Sequence, residues 1–267
     1  MHTTASDGFF SPSEVVKKSF DAGLRIISIT DHDSIDGLKE AKEYAKNLNI
    51  DVINGIELSA EFEDKEVHIL GYFFDETNSE FTLKIDEFKN QRYQRIINFV
   101  EKLNQKQISI SIDDVLEFSK TGTLGRPHIA QALIKKGYAS NFYEVFSKFL
   151  GNDSSFYVKK NFLAPETAFD LIHRAGGVCI IAHPGAFSEK ALSHFVKSGV
   201  DGFEVNHPSL SSEQKKFYHE FVRKNHLIGT GGSDFHGGRR NDEINLGKYY
   251  IPAARVELLK QRAMNLN

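Results

Sequence analysis

Apolar residues in this chain fall into short β-branched runs separated by stretches with helical spacing. Residues 24–30, Leu-Arg-Ile-Ile-Ser-Ile-Thr, read as a buried strand. Before them, residues 12–22 predict a helix. Ser11 is a good N-cap, Pro12 suits the first helical position, Glu14 completes a Ser-x-x-Glu capping box, and Gly23 is a suitable stop. A helix over 35–48 follows, then strands over 52–54 and 67–73. This alternation is the pattern of a parallel sheet or barrel.

The pattern changes between residues 80 and 163. Phe81, Ile85, Phe88, Ile96, Phe99, Val100 and Leu103 lie on one face of a long helix over 81–105. Shorter helices are expected over 113–118, 127–136 and 142–150, with no buried strand among them. This segment reads as a helical insertion, residues 80–163, in a barrel domain built from 1–79 and 164–267. Alternation then resumes, with helices over 165–175, 189–198, 212–225 and 255–264 and strands over 178–182, 202–205, 227–230 and 247–251.

Composition narrows the class. The 267 residues are 40% hydrophobic and 26% charged, enough to bury a core. The net charge of -3 argues against gripping long duplex DNA but leaves room for a short nucleotide held by a few arginines. A single cysteine, Cys179, rules out a disulfide framework within the chain and suits a reducing compartment. No apolar stretch approaches membrane-spanning length and no signal peptide is recognisable, so a cytoplasmic location is expected. Oligomeric state is left open.

The 11 histidines matter for where they fall. The run 24–30 leads into Asp31-His32-Asp33, and 52–54 into Gly55-Ile56-Glu57. Residues 178–182 lead into His183-Pro184, 202–205 into Asn206-His207-Pro208, and 227–230 into Ser233-Asp234-Phe235-His236, while His68 lies inside 67–73. Active sites of α/β barrels lie at the C-terminal strand ends, so these groups are expected to converge. Imidazole and carboxylate suit divalent metals, and two such ions can flank a phosphoryl group and activate water. Asp31 and Asp33 also suit helix caps, and Asp33, which precedes a helix, is read as one.

The segments His2-Thr3-Thr4-Ala5-Ser6-Asp7-Gly8, Thr30-Asp31-His32-Asp33, Gly55-Ile56-Glu57, His68-Ile69-Leu70-Gly71, Ala182-His183-Pro184 and Gly232-Ser233-Asp234-Phe235-His236, in that order, resemble the PHP (polymerase and histidinol phosphatase) family. Gly125-Arg126-Pro127-His128 and Glu204-Val205-Asn206-His207-Pro208 resemble a subgroup containing nucleoside 3′,5′-bisphosphate phosphatases and RNase AM-type 5′-to-3′ exoribonucleases. The resemblance implies a distorted seven-stranded (β/α) barrel and two or three divalent ions, manganese first, with zinc, iron or magnesium as alternatives. The implied ligands are His2, Asp7, His32, Glu57, His68, His183, Asp234 and His236, with Glu57 bridging, and the implied nucleophile is metal-bound hydroxide. Family members open with a strand ending in His-x-His. Here Met1 stands at x, so the expectation is that residues precede it in the full protein; otherwise the first strand is missing and one metal should be weak.

On the substrate side, Arg126 at the start of an insertion helix suits a phosphate, as do Arg92 and Arg95 on the long helix, although the latter two also suit a solvated face. His128 and His207 lie outside the implied ligand set. Either is a candidate for substrate contact or for proton donation to a leaving oxygen; each also suits a plain turn or helix-packing role. The expected activity is hydrolysis of a nucleoside 3′,5′-bisphosphate or of short 5′-phosphorylated RNA. The alternatives are histidinol-phosphate phosphatase and a non-catalytic metal-binding module.

Overall fold

A computed structural model describes residues 1–119, 122–238 and 242–265. The first stretch comprises α1 (Pro12–Asp21), β1 (Ile26–Ser28), α2 (Gly37–Ala45), β2 (Asp51–Ile53), β3 (Gly55–Phe62) and β4 (Lys65–Tyr72). A helical segment follows, with α3 (Ser79–Gln105), α4 (Ile112–Leu116), α5 (Arg126–Lys135) and α6 (Phe142–Val145). The last stretch holds α7 (Pro165–Arg174), β5 (Val178–Ile181), α8 (Glu189–Lys197), β6 (Gly202–Asn206), α9 (Ser212–Lys224), β7 (Ile228–Gly231) and α10 (Ala253–Met264). Among the described residues no helix is long and apolar enough to cross a membrane.

The architecture is mixed α/β. β1 and β2 form a parallel pair, and β3 to β7 form a five-stranded sheet in sequence order. Within the described residues the two sheets do not close into a continuous barrel. They join at one rim, where Glu57 N–H donates to the Asp31 carbonyl and Asp33 N–H to the Glu57 carbonyl. The N-terminal residues bridge the opposite seam at the same rim. Thr30 N–H donates to the Met1 carbonyl, and His2 N–H donates to that of Phe235, just past β7.

Three sequence expectations need correction. Residues 55–62 form a strand where only its first residues had been read as a strand end. β3 pairs with β4 as an antiparallel hairpin, and β4 is also antiparallel to β5, so the sheet is not all parallel. The hairpin turns at Glu63 and Asp64, both with positive φ (50° and 59°), a two-residue turn built without the usual Asn-Gly. Residues 247–251 form a turn and coil rather than a strand. The helix expected over 142–150 also changes character at Phe146, becoming a π-helical turn over Phe146–Leu150.

Of three hydrophobic clusters among the described residues, two bear on the site and the third packs α10 against the sheet. The larger lies between the sheets and their helices and includes Val16, Leu38, Ile56, Phe81, Phe169 and Phe203. The helical segment has its own cluster, with Ile96, Phe99, Leu103, Ile129, Leu133 and Val145. The amphipathic α3 belongs to both: Phe81, Ile85 and Phe88 face the first, and Ile96 to Leu103 the second. One helix thus ties the helical segment to the sheet and fixes the cavity between them.

Candidate metal centre

The loop of residues 2–8 brings two of the candidate ligands to the rim. Asp31 pins it, accepting from Thr3 N–H (2.7 Å), Thr3 Oγ1 (2.7 Å) and Ser6 Oγ (2.5 Å). Asp31 is thus an anchor rather than a helix cap. Gly8 lets the loop close on itself, since a Cβ there would sit 2.4 Å from the His2 carbonyl oxygen. On the other side, Asp242 accepts from Gly238 N–H at 2.6 Å and from His236 N–H, fixing the loop that carries Asp234 and His236.

All the residues expected from sequence to bind metal meet here. Glu57 is central and buried. Its Oε1 lies 2.5 Å from His68 Nδ1 and 3.2 Å from His183 Nε2, and its Oε2 lies 3.0 Å from His2 Nε2. His2 Nε2 is also 3.0 Å from Asp234 Oδ1, and His236 Nε2 is 3.4 Å from Asp7 Oδ1. The donors fall into overlapping groups whose atoms lie within 4.8 Å of one another: His2, Asp7, His32 and His236; His32, Glu57 and His68; His2, Glu57 and Asp234. His32 Nδ1 is buried without a hydrogen-bond partner among the described residues. Buried nitrogen without a partner is costly, and a cation between these groups would satisfy it. The donor set, imidazole and carboxylate without sulfur, fits divalent ions.

The backbone is strained at the same points. His183 and Asp234 adopt positive φ (26° and 49°), and so does Asp33 beside His32. Charge is shared tightly. Burial opposes ionisation of Glu57, but the neighbouring His32 and His68 outweigh it and hold the carboxyl well below the usual range. Burial likewise opposes protonation of His2 and His68, yet Asp234 and Glu57 raise the first to about 10, and Glu57 and Glu66 raise the second to about 9. Protons on His2 and His68 balance the carboxylates here, and a bound divalent ion would supply that charge instead.

A cavity of about 320 Å³ opens over this cluster. Glu57, His68, His183, His207 and Asp234 line its floor, and Arg92, Arg95, Arg126, Phe146 and Lys160 its far wall. A larger groove, about 560 Å³, runs between β1 and residues 247–252 and touches Glu57, His183 and Asp234 from behind. It has none of those four cations, so the smaller cavity is the better candidate for chemistry.

The wall residues are themselves held in place. Arg92 Nε donates to Asp33 Oδ2 at 2.6 Å, while Ser59 N–H donates to Asp33 Oδ1 at 3.0 Å. Asp33 therefore anchors an arginine, and Asp36 stands at the N-cap position of the helix after it instead. Arg95 donates to the Val158 carbonyl at 3.0 Å and lies over Phe99 and Tyr157. Arg126 donates to the Leu150 carbonyl (3.0 Å) and Asn152 Oδ1 (2.8 Å). Lys160 lies 3.3 Å from Glu66, which in turn lies 3.3 Å from His68 Nε2. Lys160 and Glu66 escaped the sequence reading: Lys160 sits in a coil with no periodicity, and Glu66 looks like an ordinary hairpin charge.

The remaining two histidine candidates separate. His128 is buried at the start of α5, where its Nδ1 accepts from Gly125 N–H at 3.0 Å in a capping interaction, and it does not line the cavity. The structure places His128 at a helix cap rather than on the cavity lining. His207 does line the cavity. Its Nδ1 accepts from Ser209 N–H at 3.1 Å, which leaves the ring proton on Nε2. That nitrogen is buried and has no hydrogen-bond partner among the described residues. Burial lowers His207 to about 4, so the ring is neutral and Nε2 is a donor.

An α/β scaffold with a many-liganded His, Asp and Glu cluster beneath a basic wall defines a metal-dependent hydrolase of anionic substrates. Comparison with known proteins makes this particular. The PHP domain profile matches residues 1–175, and the chain belongs to that family. It is 34% identical over 241 residues to the 5′-3′ exoribonuclease of Haemophilus influenzae, covering 88% of each chain. It is 28% identical over 249 residues to the 3′,5′-nucleoside bisphosphate phosphatase of Chromobacterium violaceum, covering 89% of this chain and 87% of that one. A solved structure from Bifidobacterium adolescentis, assigned as a metal-dependent phosphoesterase, superposes with a TM-score of 0.91 at 30% identity, covering 98% of this chain and 94% of the other.

Proposed function

We propose that this chain hydrolyses phosphate esters of nucleotides, either a nucleoside 3′,5′-bisphosphate or short 5′-phosphorylated RNA. The observation that carries the reading is the single cavity in which the His, Asp and Glu cluster faces Arg92, Arg95, Arg126 and Lys160. The exoribonuclease and bisphosphate phosphatase activities of its relatives support it.

His2, Asp7, His32, Glu57, His68, His183, Asp234 and His236 would hold two or three divalent ions. The overlap of the ligand groups at His2, His32 and Glu57 favours more than one ion, and the nitrogen and oxygen donors suit manganese, iron or zinc. Bound there, the ions would supply activated water and neutralise charge on the phosphoryl oxygens. Glu57 offers its two oxygens to different histidines and so suits the bridging position. His207 presents Nε2–H to the leaving oxygen. Arg126 and Arg95, with Arg92 and Lys160, hold the phosphate that is not cleaved or the next one along the strand. Residues 80–163 act as a subdomain that supplies this wall. The two sheets form a distorted barrel with its seam between β1 and β7.

The test is turnover with manganese on adenosine 3′,5′-bisphosphate, a short 5′-phosphorylated RNA and histidinol phosphate. Release of phosphate or nucleotide from either of the first two is expected. Preference for histidinol phosphate would shift the reading to that activity, and no turnover on any of the three would defeat the enzyme reading in favour of a metal-binding module.

A further inference from the structure

Cys179, the only cysteine of the chain, lies far from the centre described above. It sits near the start of β5, whereas His183 follows the end of that strand, about 13 Å further on at the rise of an extended chain. Around the thiol gather His173, from the last turn of α7, and Asp201, immediately before β6. Cys179 Sγ is 3.4 Å from His173 Nε2 and 3.5 Å from Asp201 Oδ2, and these two are 2.7 Å apart. Cys179 and Asp201 are buried; His173 is partly exposed.

We propose that His173, Cys179 and Asp201 form a second metal site, selective for zinc-like ions, at the opposite end of the sheet from the phosphoesterase centre. The same imidazole nitrogen meets both partners. A nucleophilic triad would use the two ring nitrogens separately, one toward sulfur and one toward carboxylate. Here one ring nitrogen lies close to both the sulfur and the carboxylate oxygen instead, and that oxygen also accepts from Cys179 N–H at 2.9 Å. Zinc bond lengths of about 2.0–2.3 Å in tetrahedral geometry put sulfur about 3.5 Å from the nitrogen and oxygen ligands, as observed. Nitrogen and oxygen would then be about 3.3 Å apart, so the His173–Asp201 hydrogen bond must open by roughly half an ångström. His173, the partly exposed member, is the side from which an ion arrives.

The ligand set separates this site chemically from the other. Thiolate with imidazole selects zinc, cobalt or cadmium over manganese or magnesium, while the main cluster offers only nitrogen and oxygen. Binding converts the Cys179 thiol to thiolate and releases its proton to solvent. The three ligands come from α7 and the starts of β5 and β6, so an ion here would cross-link one helix to two strands. Arg262, 3.7 Å from Asp201 Oδ1, adds a positive charge nearby and weakens affinity without blocking the three ligand atoms.

A single cysteine makes the test specific. Metal-free full-length protein is titrated with Co²⁺ and separately with Cd²⁺, and the thiolate-to-metal charge-transfer absorption is followed in the near ultraviolet. Only Cys179 can give that band, whatever fills the phosphoesterase centre. The proposal expects a band saturating at one equivalent beyond the main sites, lost in Cys179→Ser, and reduced at least tenfold in apparent affinity in His173→Ala. If wild-type protein saturated with Co²⁺ shows only the d–d bands of nitrogen and oxygen ligands, the three residues are a hydrogen-bonded clamp and the proposal is overturned. The wild-type spectrum decides this even if a variant fails to fold.

Discussion

Under the cavity, Glu57 and Asp234 are interleaved with His2 and His68, and each of these carboxylates faces an imidazole within about a hydrogen-bond length. On the wall, Arg92, Arg95, Arg126 and Lys160 face one another with few carboxylates between them. Burial and the nearby Arg126 lower Arg95 to about 10; burial and Arg92 lower Lys160 to about 8, against the pull of Asp33 and Glu66. The floor is compensated from within and changes only when metal displaces protons. The wall carries more positive charge than Asp33 and Glu66 balance, and an anionic substrate relieves the excess. A floor of this kind sets the rate of the chemistry, and a wall of this kind sets affinity.

The sharpest way to break this division is Glu57→Gln. It keeps the shape but removes the charge shared by His2, His68 and His183. Turnover should fall by more than about 100-fold, the range for groups that only support metal ligands, and bound metal by elemental analysis should fall with it. Metal content and kcat both within threefold of wild type would remove Glu57 from the centre. Glu66→Gln comes next. Glu66 orients His68 through Nε2, so manganese affinity should drop by about 10–100-fold, with activity recovered at high metal concentration. Failure of excess metal to restore activity would assign Glu66 to the wall instead.

Arg126→Ala should act through KM, raising it about 10–100-fold, as expected for a lost hydrogen bond to a charged group, while kcat and metal content hold. A fall in kcat at constant KM would blur the division between floor and wall. The smallest effect concerns pH. Lys160 is charged below about 8 and neutral above it, so its attraction for phosphate is present at neutral pH and lost as pH rises through about 8. A drop of a few-fold in kcat/KM across that range should vanish in Lys160→Arg, whose guanidinium stays charged. An unchanged profile in that variant would place the titration elsewhere.

His32, Glu57, His183, His207, Asp234 and His236 were legible because each follows an apolar run and carries a side chain suited to metal; His68 lies inside such a run, and His2 and Asp7 came only from the family resemblance. Position and chemistry coincide at those points, and neither depends on knowing how the strands pair. The pairing was less visible. β3 runs straight on from β2 with a single residue between them, and its hairpin turn is Glu63-Asp64, so nothing local marks a reversal. The wall was only half legible, since Arg92, Arg95 and Arg126 lie on patterned helices whereas Lys160 depends on where a coil returns past α3. His128 and Asp33 went to partners, Gly125 N–H and Arg92, that local spacing ranks no higher than their expected ones.

The bond from His2 N–H to the Phe235 carbonyl joins positions 233 apart in sequence, and it stands beside the contact between His2 and Asp234. Closing so long a loop is entropically slow, and it cannot happen on the ribosome until β7 has emerged. A nascent chain of 200 residues already holds Glu57, His68 and His183, which is enough to scavenge an ion loosely, yet it lacks Asp234 and His236. The complete centre therefore cannot assemble before β7 and the loop after it are available. Metal bound there acts as a late staple, stabilising a finished chain while adding little to a partial one.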